Sequence, residues 1–225
     1  MIRIFLICTV GALLAFGAED PLQATLAKMD QAAMVFRGLS AGLRKVHHTA
    51  VINEDTEDIG TILIKRPKPH ETRVLFDVKQ PDPKQLAFDG HKAEEYFPKA
   101  QLVQEYDVSK YKGLVDQLLL LGFGTSSKEL QSAYTLSYGG TETVAGEKTS
   151  RIQLIPKSQE TLAHLSKVDL WISDTSGVPV QQKFYEPGGD YDLATYSNIK
   201  LNPNIPDADL KLNLPKGVKV EHPGK

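Results

Sequence analysis

Apolar and polar positions alternate with a period of two along most of the chain, and helical spacing is confined to a few short stretches. The first of these is Leu22, Leu26, Met29, Ala33 and Phe36, which fall on one face of a helix. Asp20-Pro21 supplies an N-cap and a proline in the first turn, and Gly38 reads as the stop. From Leu39 to Tyr106 the period is two. Ala50 and Ile52 lead into a polar turn over Asn53 to Asp58, followed by Ile59 to Lys65. Val74, Phe76 and Val78 alternate with Arg73, Asp77 and Lys79. Leu86 and Phe88 follow the turn at Gln80-Pro81-Asp82-Pro83, and Asp89-Gly90 has hairpin chemistry. Tyr96-Phe97 stops at Pro98, and Leu102 to Asp107 resumes the alternation, so this half reads as an antiparallel meander.

A helical island follows. Ser109 caps a predicted helix over Lys110 to Leu121, whose apolar face holds Tyr111, Leu114, Val115, Leu118 and Leu119, with Leu120 and Leu121 extending it almost all round. A helix so apolar must be covered on two sides, or must itself cover something removable. Gly122 and Gly124 end it, and Ser126 to Glu129 starts a second short helix. Period two then returns in Tyr134 to Tyr138, Thr143 to Ala145, Thr149 to Ile155 and Val168 to Ile172. After a turn at Asp174 to Gly177, Val180, Gln182 and Phe184 alternate. Tyr191 to Leu201 favours one face with its odd positions Tyr191, Leu193, Ile199 and Leu201, and Leu210 to Val220 is the last strand region. No linker or repeat divides the chain, which gives one mainly β, α+β domain of about ten or eleven strands.

The first eighteen residues stand apart. Arg3 precedes an apolar run from Ile4 to Phe16, and small residues then lead to Glu19-Asp20, the layout of a secretory signal with cleavage after Gly17 or Ala18. The run is shorter than the ~20 residues that span a bilayer. The single cysteine, Cys8, lies inside it, too early for a lipoprotein signal, so residues 19–225 hold neither disulfide nor thiol nucleophile. An exported chain without disulfides fits a bacterial periplasm better than a eukaryotic surface. Charge is nearly balanced, at 26 basic and 28 acidic residues with no basic stripe, which argues against a nucleic-acid partner.

Catalytic motifs are missing. The sequence has no Gly-x-Ser-x-Gly elbow, phosphate loop, dinucleotide-binding glycine motif or His-Glu-x-x-His. His47 and His48 adjoin, but neighbours on a strand point to opposite faces, which is poor metal geometry. Glu94-Glu95 and the cluster Glu54, Asp55, Glu57 and Asp58 read as solvated charge at turns and strand edges, not as an acid–base pair. The residues require no cofactor, no metal and no enzymatic function.

The stretch Gly60-Thr61-Ile62-Leu63-Ile64-Lys65-Arg66-Pro67 resembles the LolA-like family of periplasmic outer-membrane lipoprotein carriers, which shows a glycine, an alternating strand and then Arg-Pro. The likeness continues through Gln80-Pro81, through Leu86-Ala87-Phe88-Asp89-Gly90 and on to Leu212-Asn213-Leu214-Pro215-Lys216-Gly217-Val218 near the end. Family aromatics after Arg-Pro and a tryptophan after Asp-Gly are replaced here by Pro69-His70-Glu71-Thr72 and His91-Lys92-Ala93. The resemblance implies an unclosed antiparallel barrel whose helices form a lid over an apolar cavity. That cavity would shelter acyl chains of lipoproteins between an inner-membrane releasing complex and an outer-membrane acceptor. It also implies a latch role for Arg66, closing the empty cavity through lid carbonyls. The cavity residues would be Val74, Phe76, Leu86 and Phe88 from strands and Leu114, Val115, Leu118 and Leu119 from the lid. A soluble shuttle of this kind is most simply a monomer. Carriers of free lipid or glycolipid, and periplasmic domains that sense lipids or lipoproteins, share the fold and stand as alternatives.

Overall fold

The computed structural model of the chain describes residues 20–68, 71–111 and 121–223. Helix α1 is Pro21–Val35, capped by Asp20, whose carboxylate accepts from the Leu22 N–H at 3.0 Å. It buries Leu26 and Met29, as the spacing predicts, together with Thr25. The helix ends before Gly38, which already belongs to strand β1. A side chain at Gly38 would sit 2.3 Å from the Ile64 carbonyl oxygen, so the glycine serves close strand approach and not a helix stop.

Strands β1 (Gly38–Thr49), β2 (Glu54–Lys68), β3 (Glu71–Gln80), β4 (Lys84–Asp89), β5 (Lys92–Phe97) and β6 (Leu102–Asp107) form the first meander. Strands β7 (Tyr134–Val144), β8 (Glu147–Pro156), β9 (Lys167–Ser173), β10 (Pro179–Tyr185) and β11 (Tyr191–Leu201) form the second, and β12 is Lys219–Glu221. These twelve strands, more than the ten or eleven expected, make one sheet in the order β12-β6-β5-β4-β3-β2-β1-β11-β10-β9-β8-β7. The two meanders join where β1 pairs with β11, and β7 and β12 remain as open ends. The fold is therefore the mainly β, antiparallel arrangement that the residue pattern predicts, left unclosed as the family resemblance implies, apart from the parallel pairing of β12 with β6.

Four local expectations are corrected. Glu54 to Asp58 are strand, not turn, because each pairs with β1, and Arg44–Glu57 and His48–Asp55 side-chain pairs offset the acidic run. Tyr134–Tyr138 and Thr143-Val144 belong to one strand, β7, which absorbs Gly139-Gly140 as an irregularity against β8, and Ala145 lies in the turn that follows. In β11 the buried positions are the even residues Ala194 and Tyr196. A register shift opposite Ser40–Gly42, with Asn198 at φ 51°, then changes phase and lets Ile199 pack inward. The region Leu210 to Val220 is strand only at its end, and its first part is an irregular strap held by side chains of the sheet.

The two faces are covered differently. On the inner face, α1 and the short helix α2 (Ser127–Ala133) lie over β7 to β10, where Leu26, Met29, Leu130, Ile152, Leu154, Leu170 and Ile172 pack as one dry cluster. Asp30 of α1 accepts from both the N–H and the hydroxyl of Ser127, each at 2.6 Å, and a Ser126–Glu129 capping box completes the start of α2. A third helix, α3, is the single turn Gln159–Leu162. On the outer face Leu75 and Ala87 receive Ile205 and Leu210 of the strap. The Val74-Leu75-Phe76 run in β3 is continuous in apolar character because both of its faces are covered. Among the described residues, no helix is long and apolar enough to cross a membrane.

Helix α1 is tied down by Lys28, whose ammonium lies 3.1 Å from Asp174, and Ser150 donates to the same carboxylate at 3.0 Å. Partial burial raises the Asp174 pKa, but the hydrogen bonds from Lys28 and Ser150, with the nearby charges of Lys28 and Lys148, outweigh it and hold the carboxyl below the ordinary 3.8. A depressed carboxyl contributes stability above its unfolded pKa and loses it as pH falls through the folded value. Asp174→Asn should therefore cost about 1 kcal/mol above roughly pH 5, after allowance for solvent screening. The deficit, read from urea midpoints, should shrink on acidification below the 3.8 reference. A deficit independent of pH would remove the ion pair from the anchoring of α1.

Candidate functional site

The second meander is filled by α1 and α2, so the interior of interest lies over β1 to β6. There the inner face carries Leu39, Ala41 and Leu43 of β1, Ile62 and Ile64 of β2, Val74 of β3 and Phe88 of β4, all buried. Cross-strand register sets them in rows. Leu39, Ile64, Val74 and Phe88 form one row, and Ala41, Ile62, Phe76 and Leu86 the next. The four strand residues expected to line a cavity thus share one face and two adjacent rows. Val74 and Phe88 are 0% and 4% exposed, whereas Phe76 and Leu86 are half-buried. Towards the β1–β2 hairpin the same face turns polar, through Lys45–Asp192, His47–Asp192 and Lys84–Asp58 pairs at 2.9–3.0 Å. His47 lies on this face and His48 on the other, bound to Asp55, and no group of three metal-ligating side chains occurs among the described residues.

Leu114, Val115, Leu118 and Leu119 lie outside the described residues. The chain on either side of their segment is well anchored. Val108 packs against the inner cluster, and beyond the segment Leu121 and Phe123 are 0% and 1% exposed. Phe123 stacks on Phe36 at 6.5 Å and meets Tyr196 edge to face at 5.2 Å. Gly122 and Gly124 flank it with φ of +82° and +71°, and a side chain at Gly124 would meet the Phe36 ring at 2.5 Å. The corner 121–124 is compact because two glycines let the backbone turn while one aromatic fills the space between sheet and helix.

Arg66 reaches this corner. It follows Ile64 on the inner face, and its guanidinium donates from Nη1 to the Gly124 carbonyl at 2.7 Å. Its neighbour Lys65 points the other way, as alternation requires, and its ammonium donates to the Ile205 carbonyl at 2.8 Å and to Asp207 at 2.5 Å. Adjacent cations at the end of β2 thus hold the covering segment of each face.

A second donor to the corner escaped the sequence reading. Gln182, 3% exposed, donates from its amide to the Leu121 carbonyl at 2.5 Å, and its Oε1 accepts from the Tyr196 hydroxyl at 2.6 Å. Burial pushes the Tyr196 hydroxyl well above its ordinary range, so it remains a neutral donor. The available signal was the alternation of Val180, Gln182 and Phe184, which puts one amide in phase with apolar neighbours. Such an amide needs a buried partner.

No family model matches the chain. It is 26% identical over 207 residues, 92% of its own length and 88% of the relative's, to the outer-membrane lipoprotein carrier protein of Bordetella avium (strain 197N). In sequence the chain is thus similar to an outer-membrane lipoprotein carrier. Its fold is similar to that of an uncharacterized conserved protein from Thermus thermophilus, with a TM-score of 0.56 at 12% identity over 90% of this chain and 99% of that one. It is also similar to MucB, with a TM-score of 0.54 at 12% identity over 87% of this chain, although the match spans only 64% of the MucB chain. The Mycobacterium tuberculosis lipoprotein LppX gives 0.50 at 15% identity, covering 83% of this chain and 99% of that one.

Replacing Gln182 with leucine leaves the Leu121 carbonyl and the Tyr196 hydroxyl without partners in a dry site, at an expected cost of about 2–3 kcal/mol in urea unfolding. Tyr196→Phe should then cost less in the Gln182→Leu background than in the parent, because the hydroxyl it removes is already orphaned. Additive losses would show that the two side chains act independently.

Proposed function

We propose that the protein is a periplasmic carrier that shelters the acyl chains of lipoproteins on its apolar inner face. It would take them from an inner-membrane releasing complex to an outer-membrane acceptor, without catalysis or cofactor. In this reading residues 1–18 are the export signal and 19–225 a single carrier domain. Val74, Phe76, Leu86 and Phe88 contact cargo from below, and the apolar segment with Leu114, Val115, Leu118 and Leu119 covers it. The observation that carries the proposal is the Arg66 hydrogen bond to the Gly124 carbonyl, at the point where the chain leaves that segment. An arginine here suits a reversible latch, because its planar fork pairs with backbone acceptors yet returns readily to water. The name of the Bordetella avium relative supports lipoproteins as the cargo class.

The driving force is apolar burial, about 0.8 kcal/mol per methylene withdrawn from water. A charge-assisted hydrogen bond that favours the empty, closed state opposes it by roughly 1.5–3 kcal/mol. Arg66→Leu should therefore retain cargo roughly ten- to a hundredfold more strongly, since each 1.4 kcal/mol is a factor of ten. Native mass spectrometry of protein purified from its own periplasm reads both points. Triacylated protein bound one-to-one, enriched on the Arg66→Leu variant, is the expected result. Phospholipid or glycolipid in its place would make the protein a lipid carrier, and an empty protein would overturn the carrier reading. Equal loading of variant and parent would remove the latch from Arg66.

A further inference from the structure

The outer face carries a groove that the carrier reading does not use. Its floor is a row of residues in register across six strands: Ser197 of β11, Gly42 of β1, Thr61 of β2, Asp77 of β3, Gln85 of β4 and Tyr96 of β5. The missing side chain at Gly42 deepens it. The strap, residues 208–213, and the side chains of Asn198, Lys200 and Lys79 complete its lining. A cavity of about 730 Å³ and a second of about 190 Å³ adjoin along this row, sharing Asp77, Lys79, Gln85 and Asn213.

The channel is preformed. Lys65 and Arg73 both bind Asp207, Ile205 and Leu210 seat the strap in an apolar patch, and the Asn213 N–H donates to Gln85 Oε1 at 3.2 Å. Five steps of about 4.8 Å between strands give a length of roughly 24 Å, which matches about seven residues of extended polypeptide at ~3.3 Å each. Its chemistry suits a peptide as well. Thr61 is exposed on the floor and its hydroxyl makes no side-chain hydrogen bond among the described residues, and amides from Asn198 and Gln85 line the way. Of the charges, Asp77 and Lys79 pair at 2.7 Å. Lys200 and Lys211 make no ion pair among the described residues and outnumber the remaining carboxylate, Asp209.

We propose that this outer-face groove binds an extended, acidic polypeptide segment of a protein partner. The segment runs across the strands, so it is held by side chains of the floor and by the two lysines and does not extend the sheet. The sites on the two faces are separate, and the groove does not depend on what the inner face carries.

The probes are octapeptides of alternating serine with glutamate, glutamine or lysine, followed by amide NMR of the full mature chain. The glutamate peptide should shift the amides of Gly42, Thr61, Gln85 and Asn213 and bind more tightly than the other two. Lys200→Glu/Lys211→Glu should weaken it about tenfold and transfer preference to the lysine peptide. Thr61→Trp, which fills the channel, should abolish the shifts while the rest of the spectrum is kept. The proposal is overturned if the glutamate peptide leaves those amides unmoved, or binds the charge-reversed variant as well as the parent. It is equally overturned if inorganic phosphate reproduces the shifts at the same affinity, which would mark the lysines as an anion subsite only.

Discussion

The corner at residues 121–124 buries peptide carbonyls where, among the described residues, no neighbouring strand supplies N–H groups. Everything on the inner face depends on how those carbonyls are satisfied. A buried carbonyl without a donor costs as much as a lost hydrogen bond. Here two side chains from the sheet take the place of a ladder. Gln182 serves Leu121, and Arg66 serves Gly124. Because the donors come from β10 and β2, on opposite sides of the β1–β11 seam, the corner also ties the two meanders together over the inner face. The aromatic contacts of Phe123 with Phe36 and Tyr196 fill the space those hydrogen bonds define.

An unclosed sheet has two faces to cover and no second sheet to cover them. The second meander solves this with helices, so its interior is as solid as any core. Over the first meander, the outer strap and the inner corner at residues 121–124 are each fixed by a cation near the end of β2. Lys65 holds the outer strap and Arg66 the inner corner, and their opposite aims follow from strand alternation alone. The Lys-Arg-Pro sequence is thus a single device with two sides, and Pro67 follows it where the strand nears its end. The division of labour matters for function. On the carrier reading, a binding interior would sit over the meander whose described cover is held by a few polar contacts, not over the one packed by α1.

Much of this was legible in the pattern of residues. The limits of β6 and β11, the Asp20 cap and the Ser126–Glu129 box all follow from local chemistry. The misreadings have local causes too. Glu54 to Asp58 look like a turn because their compensating charges lie on β1, a long-range pairing that composition does not reveal. Gly38 looks like a helix stop because the close approach of Ile64 is a tertiary fact. The phase of β11 reverses at an irregularity that one strand's own sequence does not announce. For the site, Arg66 could be singled out only through its motif, since an arginine at a strand end usually faces water. Gln182 could have been found by asking why an amide sits between Val180 and Phe184, but its partner, a backbone carbonyl, has no signature at all.

On the carrier reading, the energetics divide naturally between the two kinds of contact. A latch of one charge-assisted hydrogen bond, roughly 1.5–3 kcal/mol, balances only some two to four methylenes at about 0.8 kcal/mol each. Arg66 therefore cannot decide whether a long acyl chain binds. It can only bias how readily an occupied interior empties. Discrimination between cargoes must come from the apolar extent of the inner face, which ends where the pairs Lys45–Asp192 and Lys84–Asp58 begin. A chain pushed past that boundary would have to desolvate charged pairs for no apolar return. The length of cargo accommodated is accordingly set by the position of charges along β1 and β4, and the ease of its release by the hydrogen bond from β2.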